Sequence, residues 1–337
     1  IKGKELKDKM KEAINLLCDT VGSTLGPSGN NVMINTFDEP VFITNDGVTI
    51  AKSIEAEDKK INTVLEIIKE ASFKTDEKVG DGTTYVSSLP FLSQGSILMY
   101  ESLERLIEFQ IANKTDSIIV SGTTGESSTL TDKERLELIK KCVELVKGRV
   151  PVIAGTGSND TMHAVYLSKN AEKLGVDALL CVTPYYNKTN QEGLKTYYKR
   201  INDNVDIPII MYNVPTRTGL NLLPETAIEI GEKNKNVVAV KEASGITSQA
   251  SAIAHSKVLD VYSGNDDKVF DVMYAGGKGV ISVFANIFPK QSHEMVKTFL
   301  DGDKLKSMSY HINSLDVVSS LFLDVNPIPI KKALEYM

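Results

Sequence analysis

From about residue 100 onward the chain repeats one pattern: a short, continuously apolar run, an amphipathic stretch, then another apolar run. Seven runs read as strands, at Ser117–Ser121, Pro151–Gly155, Ala178–Thr183, Ile207–Asn213, Val237–Lys241, Asp260–Ser263 and Gly279–Phe284. A strand that alternates apolar with polar residues covers one face of a sheet, whereas an unbroken apolar run is buried on both. Such runs, separated by helical stretches, predict parallel βαβ units. The clearest helix starts at Thr131 with Glu134 as a capping box, carries Leu136, Ile139, Val143 and Val146, and stops at Gly148. A (β/α)₈ barrel needs eight strands. The pattern therefore predicts an α/β barrel with one strand missing or supplied by something irregular. A doubly wound open sheet competes, but it would usually carry a glycine-rich phosphate fingerprint, and no G-x-G-x-x-G occurs.

Polar residues gather where strands hand over to loops, at Gly122–Glu126, Thr183–Asn187, Tyr212–Gly219 and Lys241-Glu242. That is the C-terminal face of the strands, where barrel enzymes place their chemistry. Lys241 ends the apolar run Val237–Val240. Desolvating an ammonium is costly and lowers its pKa, from ~10.4 toward the roughly 7–8 found for catalytic lysines. An amine so tuned can attack a carbonyl and form a Schiff base. A strand-end lysine can equally send its head group out to water. On this segment alone both readings stand.

Composition narrows the partners. Of 337 residues, 42% are hydrophobic and 24% charged, with net charge −6 and no basic stripe. That speaks for a soluble globular protein and against nucleic acid or an anionic membrane as main partner. Cys18, Cys142 and Cys181 lie far apart and form no CxxC, and the four histidines never fall at metal-ligand spacing. No signal peptide or membrane-spanning run is read, so the cytoplasm is the expected compartment.

The first eighty-odd residues have a different texture. Met10, Ile14, Leu17, Val21 and Leu25 form a helical stripe ended by Gly26-Pro27. Strand-like stretches follow at Asn31–Asn35 and Pro40–Thr44, then a second helix over about Ile61–Phe73. Val79–Thr84, with Asp81 between glycines, can cradle phosphates and Mg²⁺ or simply cap a helix.

Residues from about 101 to 337 resemble the dihydrodipicolinate synthase family of pyruvate-dependent class I aldolases, which includes N-acetylneuraminate lyase. The matching motifs are GTTGES at 122–127, PVIAGTGSN at 151–159, VTPYYNK at 182–188, YNVPTRTG at 212–219, VKEASG at 240–245, SGNDD at 263–267, GGKGVISVFAN at 276–286 and NPIPIK at 326–331. Residues 1 to about 89 resemble the N-terminal equatorial segment of a group I chaperonin, through TVGSTLGPSGNNV at 20–32, TNDGVTIAKSIEAED at 44–58 and VGDGTT at 79–84. Asp46 and Asp81 match nucleotide-site positions there, but the returning half of that domain and its catalytic aspartate are not encoded. The expected organisation is a chaperonin-like fragment at 1–89, a junction at 90–100 and a barrel at 101–337. Against the family's pattern the barrel is expected to lack its first strand, or to reduce it to Gly95–Met99, and to be truncated at its C-terminus, because the family continues with further helices.

The aldolase resemblance implies a (β/α)₈ TIM barrel and the condensation of pyruvate with aspartate-4-semialdehyde to 4-hydroxy-tetrahydrodipicolinate, in lysine and diaminopimelate biosynthesis. Lys241 matches the Schiff-base lysine and Tyr212 the catalytic tyrosine, with Thr123 and Tyr186 as its hydroxyl relay. Thr124 matches the pyruvate-carboxylate contact and Arg217 the arginine that steers the semialdehyde carboxylate. Gly264 and Ile281 match positions lining the pocket. No metal or organic cofactor is implied. The family's relay tyrosine reaches in from a neighbouring subunit, so a homo-oligomer is expected, at least a dimer and in full a homotetramer. The other readings are an ATP-binding chaperonin-like fragment and a catalytically inactive composite chain. Some family members are inhibited by lysine in a dimer-interface cleft. Asn159 and Tyr185 keep two positions of that cleft, but His163 stands at its glutamate position and Asp132 and Arg135 at its histidine positions.

Overall fold

A computed structural model describes residues 100–337 continuously and, before them, Glu12, Leu16, Val32–Ile34, Phe42–Thr44 and scattered positions from Ser53 to Leu65. The chain divides into two units, Ile1–Thr83 and Thr84–Met337. In the first, strands β1 (Val32–Ile34) and β2 (Phe42–Thr44) pair antiparallel, with Met33 opposite Ile43. Ile61 and Leu65, one helical turn apart, are both buried. The expected Met10–Leu25 stripe as a whole, Asp46, Asp81 and the stretch Gly95–Met99 lie outside the described residues.

The second unit carries the repeated pattern. Helix α1 (Tyr100–Ala112) leads into seven parallel strands whose spatial order is their chain order: β3 (Ile118–Val120), β4 (Val152–Gly155), β5 (Ala178–Val182), β6 (Ile209–Asn213), β7 (Val237–Glu242), β8 (Asp260–Ser263) and β9 (Gly279–Val280). Helices α2 (Asp132–Val146), α3 (Thr161–Lys173) and α4 (Gln191–Asn202) return the chain between the early strands. The short α5 (Pro215–Thr218), then α6 (Pro224–Lys233), α7 (Thr247–Ser256) and α8 (Val269–Tyr274) serve the later ones. The chain continues as α9 (Pro289–Leu300), α10 (Lys304–Leu321) and α11 (Ile328–Glu335). This is the barrel pattern with seven strands among the described residues, where β3 and β9 each pair on one side only.

The unbroken apolar runs are explained by two separate cores. In β6, Ile209 and Met211 face the helices with Leu138, Ile139 and Val240, while Ile210 and Tyr212 face inward with Ile153, Leu180 and Ala239. Both sets of a period-2 strand are thus buried, which leaves no polar position along it before Asn213 at its end. Helix α2 begins as its sequence dictates: the Thr131 hydroxyl accepts from the Glu134 N–H, and the Glu134 carboxylate accepts from the Thr131 N–H at 2.9 Å.

The last strand departs from expectation. Gly279–Phe284 reads as one strand, yet only Gly279–Val280 is one. The Asp266 carboxylate accepts the backbone N–H groups of Val283 and Phe284, at 2.9 and 3.0 Å, and the Ser282 hydroxyl. Those donors are drawn off the ladder, and the chain turns into a 3₁₀ turn at Phe284–Asn286. Helix α1 also begins at Tyr100, so that residue is helical and belongs to no strand.

Candidate active site

Strands β6 and β7 run in register with Tyr212 opposite Lys241, and β8 places Tyr262 on the other side of the lysine. Neighbours in register project to the same face, so Tyr212 and Lys241 meet inside the sheet. The Lys241 Nζ lies 4.4 Å from the Tyr212 ring centroid, a cation–π distance. Tyr212 is 6% exposed and Lys241 half-buried. A cavity of about 380 Å³ is lined by Lys241, Thr123, Thr124 and Ile281 together with inward apolar residues such as Ile153 and Leu180. An amine and two hydroxyls therefore share a cavity whose wall mixes apolar with polar side chains, and the Tyr212 ring packs against that amine.

Gly264 is next to the lysine because its N–H donates to the Glu242 carbonyl at 2.7 Å. A Cβ at that position would lie 2.6 Å from the Ala243 Cβ and 3.1 Å from the Lys241 Cε. Only a residue without a side chain leaves the lysine stem its place. Gly264→Ala is expected to cost about 1–3 kcal/mol of stability through overpacking and to slow amine attack on pyruvate. Measured Tm and adduct-formation rates identical to the parent would contradict this.

Behind Lys241, the Glu242 side chain turns to the other face and is 4% exposed. Burial raises its pKa, opposed by hydrogen bonds from the Asn213 side chain at 3.0 Å and the Ser244 N–H at 2.6 Å. Those bonds tie the end of β6 to the end of β7.

Arg217 sits on α5, which opens with Pro215 and closes on Gly219 at φ 67°. Pro215 pre-sets the first turn, and glycine takes the left-handed residue that ends it. The Arg217 guanidinium is exposed and gives one Nη2 hydrogen bond, 3.0 Å, to the carbonyl of Asn326. The Asn326 side-chain nitrogen in turn donates to the Thr124 hydroxyl at 3.0 Å. Asn326 carries no role among the sequence expectations, although the NPIPIK motif at 326–331 marks its place. Tyr186 is the expected site residue that the structure does not bring in: it is 90% exposed, at φ 65°, in the loop after β5.

The same C-terminal segment makes a second tie. Lys331 on α11 pairs with Glu126 at 3.4 Å, with side chains 11% and 13% exposed. Burial pulls Lys331 down to about 8, against the attraction of Glu126, and burial raises Glu126 against the pull of Lys331. For Lys331 the folded pKa is the lower one. Between about pH 8 and the ordinary lysine range the unfolded chain binds more protons, so this residue adds stability as pH rises through that window. The Tm difference between the parent and Lys331→Met is expected to grow in the parent's favour from about pH 8 to about pH 10. A pH-independent difference would contradict the shift.

The model of the dihydrodipicolinate synthetase family matches residues 82–337, and that of the TCP-1/cpn60 chaperonin family matches residues 17–100. The 4-hydroxy-tetrahydrodipicolinate synthase of Clostridium tetani is 50% identical over 261 residues, 77% of this chain and 87% of its own length. The crystal structure of dihydrodipicolinate synthase from Thermotoga maritima is 44% identical, with TM-score 0.72 over 75% of this chain and 86% of that one. The enzyme from Acinetobacter baumannii, solved in complex with pyruvate, is 40% identical with TM-score 0.71, over 75% of this chain and 89% of that one. With one family's model spanning the whole second unit and relatives matched over most of their length, the chain belongs to the dihydrodipicolinate synthetase family.

Proposed function

We propose that the chain condenses pyruvate with aspartate-4-semialdehyde through a Schiff base on Lys241, giving 4-hydroxy-tetrahydrodipicolinate. The observation that carries this is the pairing of Lys241 with Tyr212 on adjacent strands, 4.4 Å from amine to ring, at a cavity bearing Thr123 and Thr124. A neutral Lys241 amine adds to the keto carbon of pyruvate, and loss of the hydroxyl as water leaves an iminium. The iminium draws electrons from the methyl group, which loses a proton and becomes an enamine. Its carbon attacks the aldehyde, the new alkoxide takes a proton, and the substrate's own amine displaces Lys241 to close the ring. Tyr212, with Thr123, supplies and accepts those protons.

Thr124 holds the pyruvate carboxylate and Arg217 that of the semialdehyde, for which a planar guanidinium fork is suited. Gly264 and Ile281 shape the wall. Tyr186, exposed in this protomer, completes the relay of a second copy, so the active form is a homo-oligomer. Among the described residues no helix is long and apolar enough to cross a membrane; we place the enzyme in the cytoplasm. Borohydride reduction in the presence of pyruvate tests the reading directly. A pyruvate adduct on Lys241 in the peptide mass map is expected; its absence, with a folded chain, would overturn the assignment.

Weak inhibition by lysine also follows. His163 Nε2 lies 2.8 Å from the Asp132 carboxylate, and Arg135, buried, donates to the Gly155 carbonyl at 2.6 Å. Asp132, the carboxylate among the matched cleft positions, is thus already engaged by His163. Loss of a charge-assisted contact costs about 1.5–3 kcal/mol, roughly tenfold to hundredfold in affinity. Initial rates titrated with lysine are expected to show no submillimolar half-inhibition, and finding it would defeat this expectation.

A further inference from the structure

Asn326 is buried, and its side chain is only half used. Its Nδ2 donates to the Thr124 hydroxyl at 3.0 Å, and its backbone carbonyl accepts from Arg217 Nη2 at 3.0 Å. Its Oδ1 is fully buried and has no hydrogen-bond partner. A buried amide oxygen left without a donor is costly, and the bond to Thr124, which lines the cavity, sets Asn326 at that cavity's edge. Two neighbours indicate which ligand. Thr124 marks the pyruvate side of the site, and Arg217 marks the side facing the second substrate. Asn326 bridges them.

We propose that Asn326 Oδ1 accepts a hydrogen bond from the α-ammonium of an amino-acid semialdehyde, and so sets the enzyme's preference for an amino-bearing aldehyde. This rests on the function proposed above. In aspartate-4-semialdehyde the ammonium is on the carbon next to the carboxylate. Arg217 holds that carboxylate and is itself anchored on the Asn326 carbonyl, so carboxylate and ammonium are read by one residue pair. An ammonium has only donors, and the open atom of Asn326 is an acceptor. A site that buries an unpaired acceptor also penalises any analogue lacking the donor, because the acceptor then stays unpaired.

The test compares aspartate-4-semialdehyde with succinic semialdehyde, the same chain without the ammonium, in the parent, Asn326→Leu and Asn326→Asp. The readout is the ratio of kcat/KM for the two aldehydes. A disturbed Thr124 would weaken pyruvate use equally with both aldehydes and leave this ratio unmoved. Asn326→Leu is expected to shrink the preference by roughly 10- to 100-fold, and Asn326→Asp, which keeps an acceptor, to retain it. An unchanged ratio in Asn326→Leu overturns the proposal, as does an Asn326→Asp ratio as low as that of the leucine variant. Borohydride trapping of pyruvate on each variant shows that the site is folded. No adduct on the parent and no turnover with either aldehyde would instead refute the function itself.

Discussion

Lys241→Arg is expected to abolish the pyruvate adduct and to lower turnover by on the order of 10⁴-fold or more, the scale seen when an activated nucleophile is removed. The two side chains are similar in length. Arginine, however, does not give up its proton at any working pH, so it has no lone pair to add to a keto carbon. Lys241 is half-buried and its stem packs at the end of β7, so the variant is expected to fold with a Tm near that of the parent. Mass mapping after borohydride treatment is the decisive measurement. An adduct retained on another lysine of the variant would move the nucleophile elsewhere.

Tyr212→Phe is expected to keep the adduct and slow turnover by roughly 10²–10⁴, the range for a lost acid–base group. The ring is 6% exposed among Ile210, Ala239 and Val214, and phenylalanine preserves that packing. It also preserves the ring face against the Lys241 amine, so what is removed is the hydroxyl alone. Single-turnover experiments separate the steps: adduct formation slows less than carbon–carbon bond formation if the phenol serves several proton transfers. A kcat equal to the parent's would take Tyr212 out of the mechanism.

The strands were legible because their burial is written into every position. Ile209 and Met211 serve one core and Ile210 and Tyr212 the other, so β6 shows no polar residue before Asn213. Gly279–Phe284 was overread for the same reason. Its apolar character is real, but Asp266, 17 and 18 residues earlier, takes the N–H groups that a strand would have used. Local composition carries no trace of such a competitor. At the site, Lys241 is conspicuous because a charged residue ends an apolar run, and Thr123, Thr124 and Arg217 fall in polar loops at strand ends. Asn326 is another matter. Its partner Thr124 is 202 residues away, so no periodicity or spacing connects them, and only the NPIPIK motif marked the place. Tyr186 falls in the polar loop after β5, where its sequence context puts it.

The reach of that C-terminal segment bears on how the enzyme comes into being. Each strand pairs with its neighbour in the chain, so the sheet can be laid down progressively as the polypeptide emerges during synthesis. The bonds from Asn326 to Thr124 and from Lys331 to Glu126 close loops of 202 and 205 residues, and they form only when almost the whole barrel unit has been made. A nascent chain can therefore have every strand in place while both ties from the C-terminal segment, at Thr124 and at Glu126, are still open.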